Sequence, residues 1–201
     1  MAREVDHVKI FKTEARRRFA FLEEPPHGLR WCGAFLRYPD EPRDTHTEIR
    51  YLGPRVMVTI VMNHIGLGLY LSIGTPPPDA ARVPCRRVRA QTVASFDDYL
   101  LMAVGEDLPR SPLLGRFRVL TDFCNEQHGR YTNVAVKHLV DLIDLMATQL
   151  RDHGAALLAG DAELLARTRA YGQARQAPSH GGDVPRHHHD RRRRVRRRLR
   201  L

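Results

Sequence analysis

Between Leu29 and Gly74 apolar residues recur at every second position, whereas before and after that stretch they recur every third or fourth. A period of two lines one face of a strand, and a period near 3.6 lines one stripe of a helix. The chain therefore keeps its strands apart from its helices instead of alternating them. That order is the signature of an α+β fold, and it disfavours a parallel dinucleotide-binding sheet.

The first helical segment runs from Val5 to Glu23, with Val8, Phe11, Ala15, Phe19 and Leu22 on one face and Lys9, Lys12 and Arg16 on the other. Pro25, Pro26 and Gly28 stop it, because proline cannot extend the hydrogen-bond ladder. Strands are then expected at Trp31 to Tyr38, Thr47 to Leu52, Arg55 to Asn63 and Leu67 to Gly74. The third is apolar on both faces and should be central, and the short connections require antiparallel neighbours. Thr75-Pro76-Pro77-Pro78-Asp79 forms a stiff loop, and Cys85 to Gln91 reads as a short edge strand whose arginines discourage further pairing. Helices follow at Asp97 to Val104, with Ser95 and Asp98 resembling a capping box, and at Leu113 to His128 after Ser111 and Pro112. A long helix capped by Thr132 or Asn133 reaches Asp152, its buried stripe running from Val136 through Leu139 and Ile143 to Leu150. Asp161 caps a last one to Tyr171. The expectation is an N-terminal helix, an antiparallel meander of three to five strands and three to four C-terminal helices. They form a single domain over residues 1–172, followed by a disordered Arg/His-rich tail at 173–201.

Charge divides along the same boundary. The net charge is +10, and eight of those charges lie in residues 173–201, leaving the body nearly neutral. Arginine outnumbers lysine 30 to 3 in tail and body alike. That imbalance reads as GC-rich bacterial coding more than as selection for one ligand. An arm containing Arg191, Arg192, Arg193, Arg194, Arg196, Arg197 and Arg198 would nevertheless bind phosphates electrostatically, with little sequence preference. His187 to His189 lack the fixed geometry of a metal site.

Convergent chemistry is sparse. Cys32, Cys85 and Cys124 form no close sequence pair, and an odd count without a secretory segment after Met1-Ala2-Arg3-Glu4 suits a reducing cytoplasm, each cysteine being a small buried hydrophobe. Gly66-Leu67-Gly68 precedes a strand and lacks the remaining signature of a phosphate loop, and Ser72-Ile73-Gly74 is no nucleophile elbow. Asp97-Asp98 and Glu106-Asp107 read as helix-start acids. His46 and Glu48 share one strand face at a spacing suited to a metal or to acid/base work, and they are the residues on which an enzymatic reading would rest. Neither a metal site nor a cofactor is expected. Two aromatic residues stand out as protein-binding positions: Tyr70, out of phase with the leucines of its strand, and Trp31, the only tryptophan, at the start of the first strand.

The pattern Phe19-x-Phe21-Leu22-Glu23, then Ile49-x-Tyr51, Val56-x-Val58-x-Ile60 and Leu69-x-Leu71-x-Ile73-Gly74 is similar to small uncharacterised bacterial α+β proteins, some of which resemble immunity proteins that neutralise polymorphic toxins. The resemblance spans residues 5–150 and carries over no functional residue. It implies a cytoplasmic, non-enzymatic protein-binding domain with another protein as partner and no membrane. The alternative is a nucleic-acid-associated protein that grips phosphates through its tail.

Overall fold

The structure is a computed structural model, and it describes residues 7–37, 46–64, 68–103 and 133–176. Helix α1 (His7–Arg18) and a 3₁₀ turn (Ala20–Glu23) lead into five strands: β1 (Arg30–Arg37), β2 (His46–Leu52), β3 (Met57–Asn63), β4 (Leu69–Gly74) and β5 (Val93–Ser95). Helices α2 (Phe96–Ala103), α3 (Asn133–His153), α4 (Ala155–Leu158) and α5 (Ala162–Gln176) follow. The strands pair antiparallel in chain order, with β3 at the centre as its two apolar faces require. This is the α+β arrangement expected from the change of period. The helix expected at Leu113 to His128 lies outside the described residues.

The helices cover one face of the sheet. Ile49, Tyr51, Val58, Ile60 and Ile73 point into a core closed by Phe11, Ala15 and Phe19 of α1 and by Leu139, Ile143 and Leu150 of α3. Each residue is buried because it falls in the helix-facing phase of its strand or on the apolar stripe of its helix. An ion pair from Arg18 to Asp144 ties α1 to α3, and the Tyr99 hydroxyl donates to the His153 carbonyl at 3.0 Å, satisfying an orphan acceptor at the end of α3.

Two expectations are corrected. Cys85 to Gln91 does not form the edge strand: Cys85–Arg87 is a 3₁₀ turn, and Val93–Ser95 pairs with β4 instead. The carbonyls of Cys85 and Val88 accept from the Arg50 guanidinium, at 3.4 and 2.8 Å, so this segment crosses the sheet face and is not laid along its edge. The last helix also runs past its expected end at Tyr171. Helix α5 continues to Gln176, and Arg175 Nη1 donates to Asp98 Oδ1 at 2.7 Å, so at least one arginine counted with the tail belongs to the folded body. Asp97 and Asp98 stand in the first turn of α2, as expected of helix-start acids. Asp161 caps as expected, its Oδ1 accepting from the backbone of Glu163 and Leu164 at 3.0 Å each.

Gly160 closes the short α4 helix with φ of 73°, and a side chain there would press on Arg55, whose carbonyl oxygen would lie only 3.0 Å from the new Cβ. Gly28 has φ of 57° but open space around it. Gly160→Ala is therefore expected to cost about 2–4 kcal/mol, combining left-handed strain with overlap, and Gly28→Ala only about 1 kcal/mol. Urea unfolding of both variants measures the difference, and equal midpoints would contradict it.

Candidate functional site

The other face of the sheet has no helix layer among the described residues. Strand alternation places Phe35 of β1, Glu48 and Arg50 of β2, Thr59 and Val61 of β3, and Tyr70 and Ser72 of β4 on that side. One end of the face is covered by a strap, Thr75 to Thr92. The ends of the strap meet where Thr75 N donates to Thr92 O at 3.0 Å and Gln91 N to Thr75 O at 2.9 Å. Ala80 and Val88 of the strap bury Leu52 and Met57, forming a second, smaller apolar cluster. Beside the strap no described residue covers the sheet, leaving a shallow basin of about 250 Å³ lined by Glu48, Arg50, Thr59, Val61, Ser72 and Arg89, among others.

An ion cluster organises this face. Arg50 is only 3% exposed. Its guanidinium bonds to Glu48 Oε2 and to the two strap carbonyls, and it lies 5.4 Å from the Phe35 ring centroid. Arg37 Nε donates to the same Glu48 oxygen at 3.1 Å and reaches the Arg86 carbonyl through Nη2, also at 3.1 Å. His46 Nε2 lies 3.1 Å from Glu48 Oε1. Burial pushes the Glu48 carboxyl up, but the His46 hydrogen bond and the Arg50 and Arg37 guanidiniums outweigh it and hold the group below the usual carboxylate range. Burial pulls Arg50 below its ordinary value, and Glu48 opposes that pull.

Sequence reasoning paired His46 with Glu48 but missed both arginines. Arg37 is eleven residues from Glu48 and meets it only through strand pairing. With both oxygens engaged and its basicity lowered, Glu48 is an anchor for cations and a poor proton acceptor. At the end of the sheet near His46, the His7 and His64 rings stand 5.6 Å apart and Thr47 Oγ1 lies 2.8 Å from His64 Nε2. Burial, with His7, His46 and Lys12 nearby, keeps the His64 pKa low. No group of three or more His, Cys, Asp or Glu able to hold a metal occurs among the described residues.

The two aromatic positions are placed on opposite faces. Tyr70 is 54% exposed, the most open large apolar side chain among the described residues, and stands on the helix-free face. Trp31 pairs with Tyr51 on the helix-covered face, edge to ring at 5.2 Å, with the Arg16 guanidinium 4.6 Å from its ring centroid. The two rings therefore do not share one face of the sheet, and Trp31, half-buried, packs against the core from the helix side. The neighbouring Tyr51 hydroxyl is pushed up to about 12 by burial, against the pull of Arg16. Arg191 to Arg194, Arg196 to Arg198, His187 to His189 and Cys124 lie outside the described residues, as does the loop through Pro39 to Asp44.

The cysteines required the largest correction. Cys32 and Cys85 are joined by a disulfide across 53 residues, their Cα atoms 5.5 Å apart, so neither is the isolated hydrophobe expected. A β-bulge between Trp31 and Gly33, with Gly33 at φ of 112°, makes the bond possible by keeping Trp31 and Ala34 toward the core while Cys32 packs with the strap cluster. The bond fastens the strap to β1.

Two outcomes follow. Because Glu48 titrates lower in the folded chain than in the unfolded one, it adds stability above its unfolded pKa, and that contribution is lost as pH falls through the folded value. Unfolding measured from pH 6 down to about pH 3 should show a steeper decline for the wild type than for Glu48→Gln, and parallel declines would contradict the cluster. Thiol titration of the denatured, unreduced chain should count two fewer thiols than after reduction, and reduction should lower stability by about 2–4 kcal/mol. Full thiol reactivity without reductant would refute the bond. Comparison with protein-family models, with curated proteins and with solved structures finds no match.

Proposed function

We propose that the chain is a non-enzymatic protein-binding domain that works through the helix-free face of its sheet. The observation that carries this reading is the one-sided covering of the sheet: Tyr70 and Val93 stay exposed, at 54% and 43%, on a face where the strap stops short of full coverage. Tyrosine and arginine are the residues that interface centres favour, and here Arg89 lines the basin while Tyr70 stands on the same face of the sheet. The engagement of both Glu48 oxygens, one by Arg37 and Arg50 and the other by His46, also supports binding over acid/base chemistry.

An immunity-like role, in which a partner's working surface is buried against this face, is the form of binding that the sequence resemblance favours. A bacterial cytoplasmic setting is part of the same reading and rests on arginine usage, while the Cys32–Cys85 bond pulls toward an oxidising compartment. No helix among the described residues is long and apolar enough to cross a membrane.

The second reading, phosphate binding through Arg191 to Arg198, is favoured by the concentration of charge after residue 176. One set of proteins separates the two. Crosslinked capture from a GC-rich bacterial lysate should recover a partner with the wild type and about tenfold less with Tyr70→Glu, whose exposed position leaves the fold intact. Equal recovery, or none, refutes the sheet-face reading. Oligonucleotide binding lost on ending the chain at Gln176, and weakened by salt in the full chain, would instead establish the tail.

A further inference from the structure

We infer that the strap face takes an acidic segment of the partner protein, seating one carboxylate side chain in the basin beside Arg89 while the neighbouring arginines meet flanking acids. The inference rests on the reading that this face binds protein, and it adds the partner's chemistry.

Three observations carry it. First, the strap presents Arg82, Arg86, Arg87 and Arg89 as exposed side chains against a single acid of its own, Asp79. The body is nearly neutral as a whole, so this segment is a local excess of positive charge. Second, the one carboxylate lining the basin, Glu48, is already held by Arg37, Arg50 and His46, so it does not neutralise Arg89. Third, the basin's volume of about 250 Å³ lies below the roughly 300–1,000 Å³ typical of small-molecule pockets. Its walls combine Val61 and Val93 with the hydroxyls of Thr59 and Ser72, a lining suited to a short side chain carrying an acceptor. Tyr70 stands on the same face as a rigid apolar anchor for the segment's next residue.

Charge alone would suit a nucleic acid equally well, but the aromatic arrangement does not. Single strands bind sheets by stacking successive bases on open rings. Phe35, the other ring on this face, already has the Arg37 and Arg50 guanidiniums at 5.8 and 5.4 Å from its centroid, which leaves Tyr70 as the one open platform among the described residues.

The test uses the full chain in every arm, so the arginines after residue 176 are constant. A short fluorescein-labelled peptide alternating Glu and Leu, its Gln counterpart and an oligothymidylate of equal charge are titrated against three proteins: wild type, Arg86→Glu/Arg89→Glu, and Tyr70→Ala. Both altered arginines are exposed, and unchanged melting verifies the fold. Wild type is expected to prefer the Glu peptide over the Gln peptide by roughly tenfold or more. The double charge reversal should abolish that preference, and Tyr70→Ala should weaken both peptides. A preference that survives charge reversal belongs to the tail and overturns the inference. If both peptides bind alike and Tyr70→Ala weakens both, the face binds protein without reading acid, so the inference falls and the functional reading stands. If Tyr70→Ala also has no effect, both fall. Strap-dependent binding that favours the oligothymidylate overturns the inference in favour of a nucleic acid.

Discussion

Taking a guanidinium out of water costs several kcal/mol unless a counter-charge and acceptors replace its hydration. Arg50 meets that condition at its two terminal nitrogens, though not at its buried Nε, through Glu48 and the carbonyls of Cys85 and Val88, which belong to a segment 35 or more residues away. The dependence runs both ways. The strap needs Arg50 to satisfy backbone acceptors that no neighbouring strand reaches, and Arg50 needs the strap to stay buried. Everything distinctive on the helix-free face follows from this exchange: the height of the strap, the burial of Leu52 and Met57 beneath Val88, and the position of Arg89 at the basin. The Cys32–Cys85 bond and the Arg37 contact to the Arg86 carbonyl fasten the same segment from β1.

The core face was legible because its forces are local in sequence. Val58, Ile60 and Met62, then Leu69, Leu71 and Ile73, alternate without interruption, and one-residue slips would turn every one of them to water. The stripe Leu139, Ile143, Ala147 and Leu150 needs only the helical period. The strap face was not legible because its interactions join distant residues. Nothing around Cys85 indicates that an arginine on β2 will accept the role of a neighbouring strand. An odd cysteine count conceals a pair separated by 53 residues.

Strand β1 shows how one irregularity changes a functional assignment. Strict alternation puts Trp31, Gly33 and Phe35 on one face. The bulge at Cys32 breaks that phase, so Trp31 stays over Tyr51 while Phe35 turns to the opposite side beneath two guanidiniums. Glycine at 33, the residue that tolerates φ of 112°, was the available signal, since an isolated glycine within a strand often marks a bulge. The single tryptophan thus packs against the core from the helix side, while Tyr70 and the strap arginines stand on the opposite face.

Charge and apolar exposure occur together on this side, where Arg89 lines the basin and Tyr70 and Val93 stand exposed. The strap covers Leu52 and Met57 through Ala80 and Val88, Arg89 and Ala90 line the basin with Val61, and Tyr70 stays exposed. Moving the strap off Arg50 would take the Val88 carbonyl from its guanidinium and leave a buried cation short of an acceptor. The ion cluster therefore holds the strap where it lies.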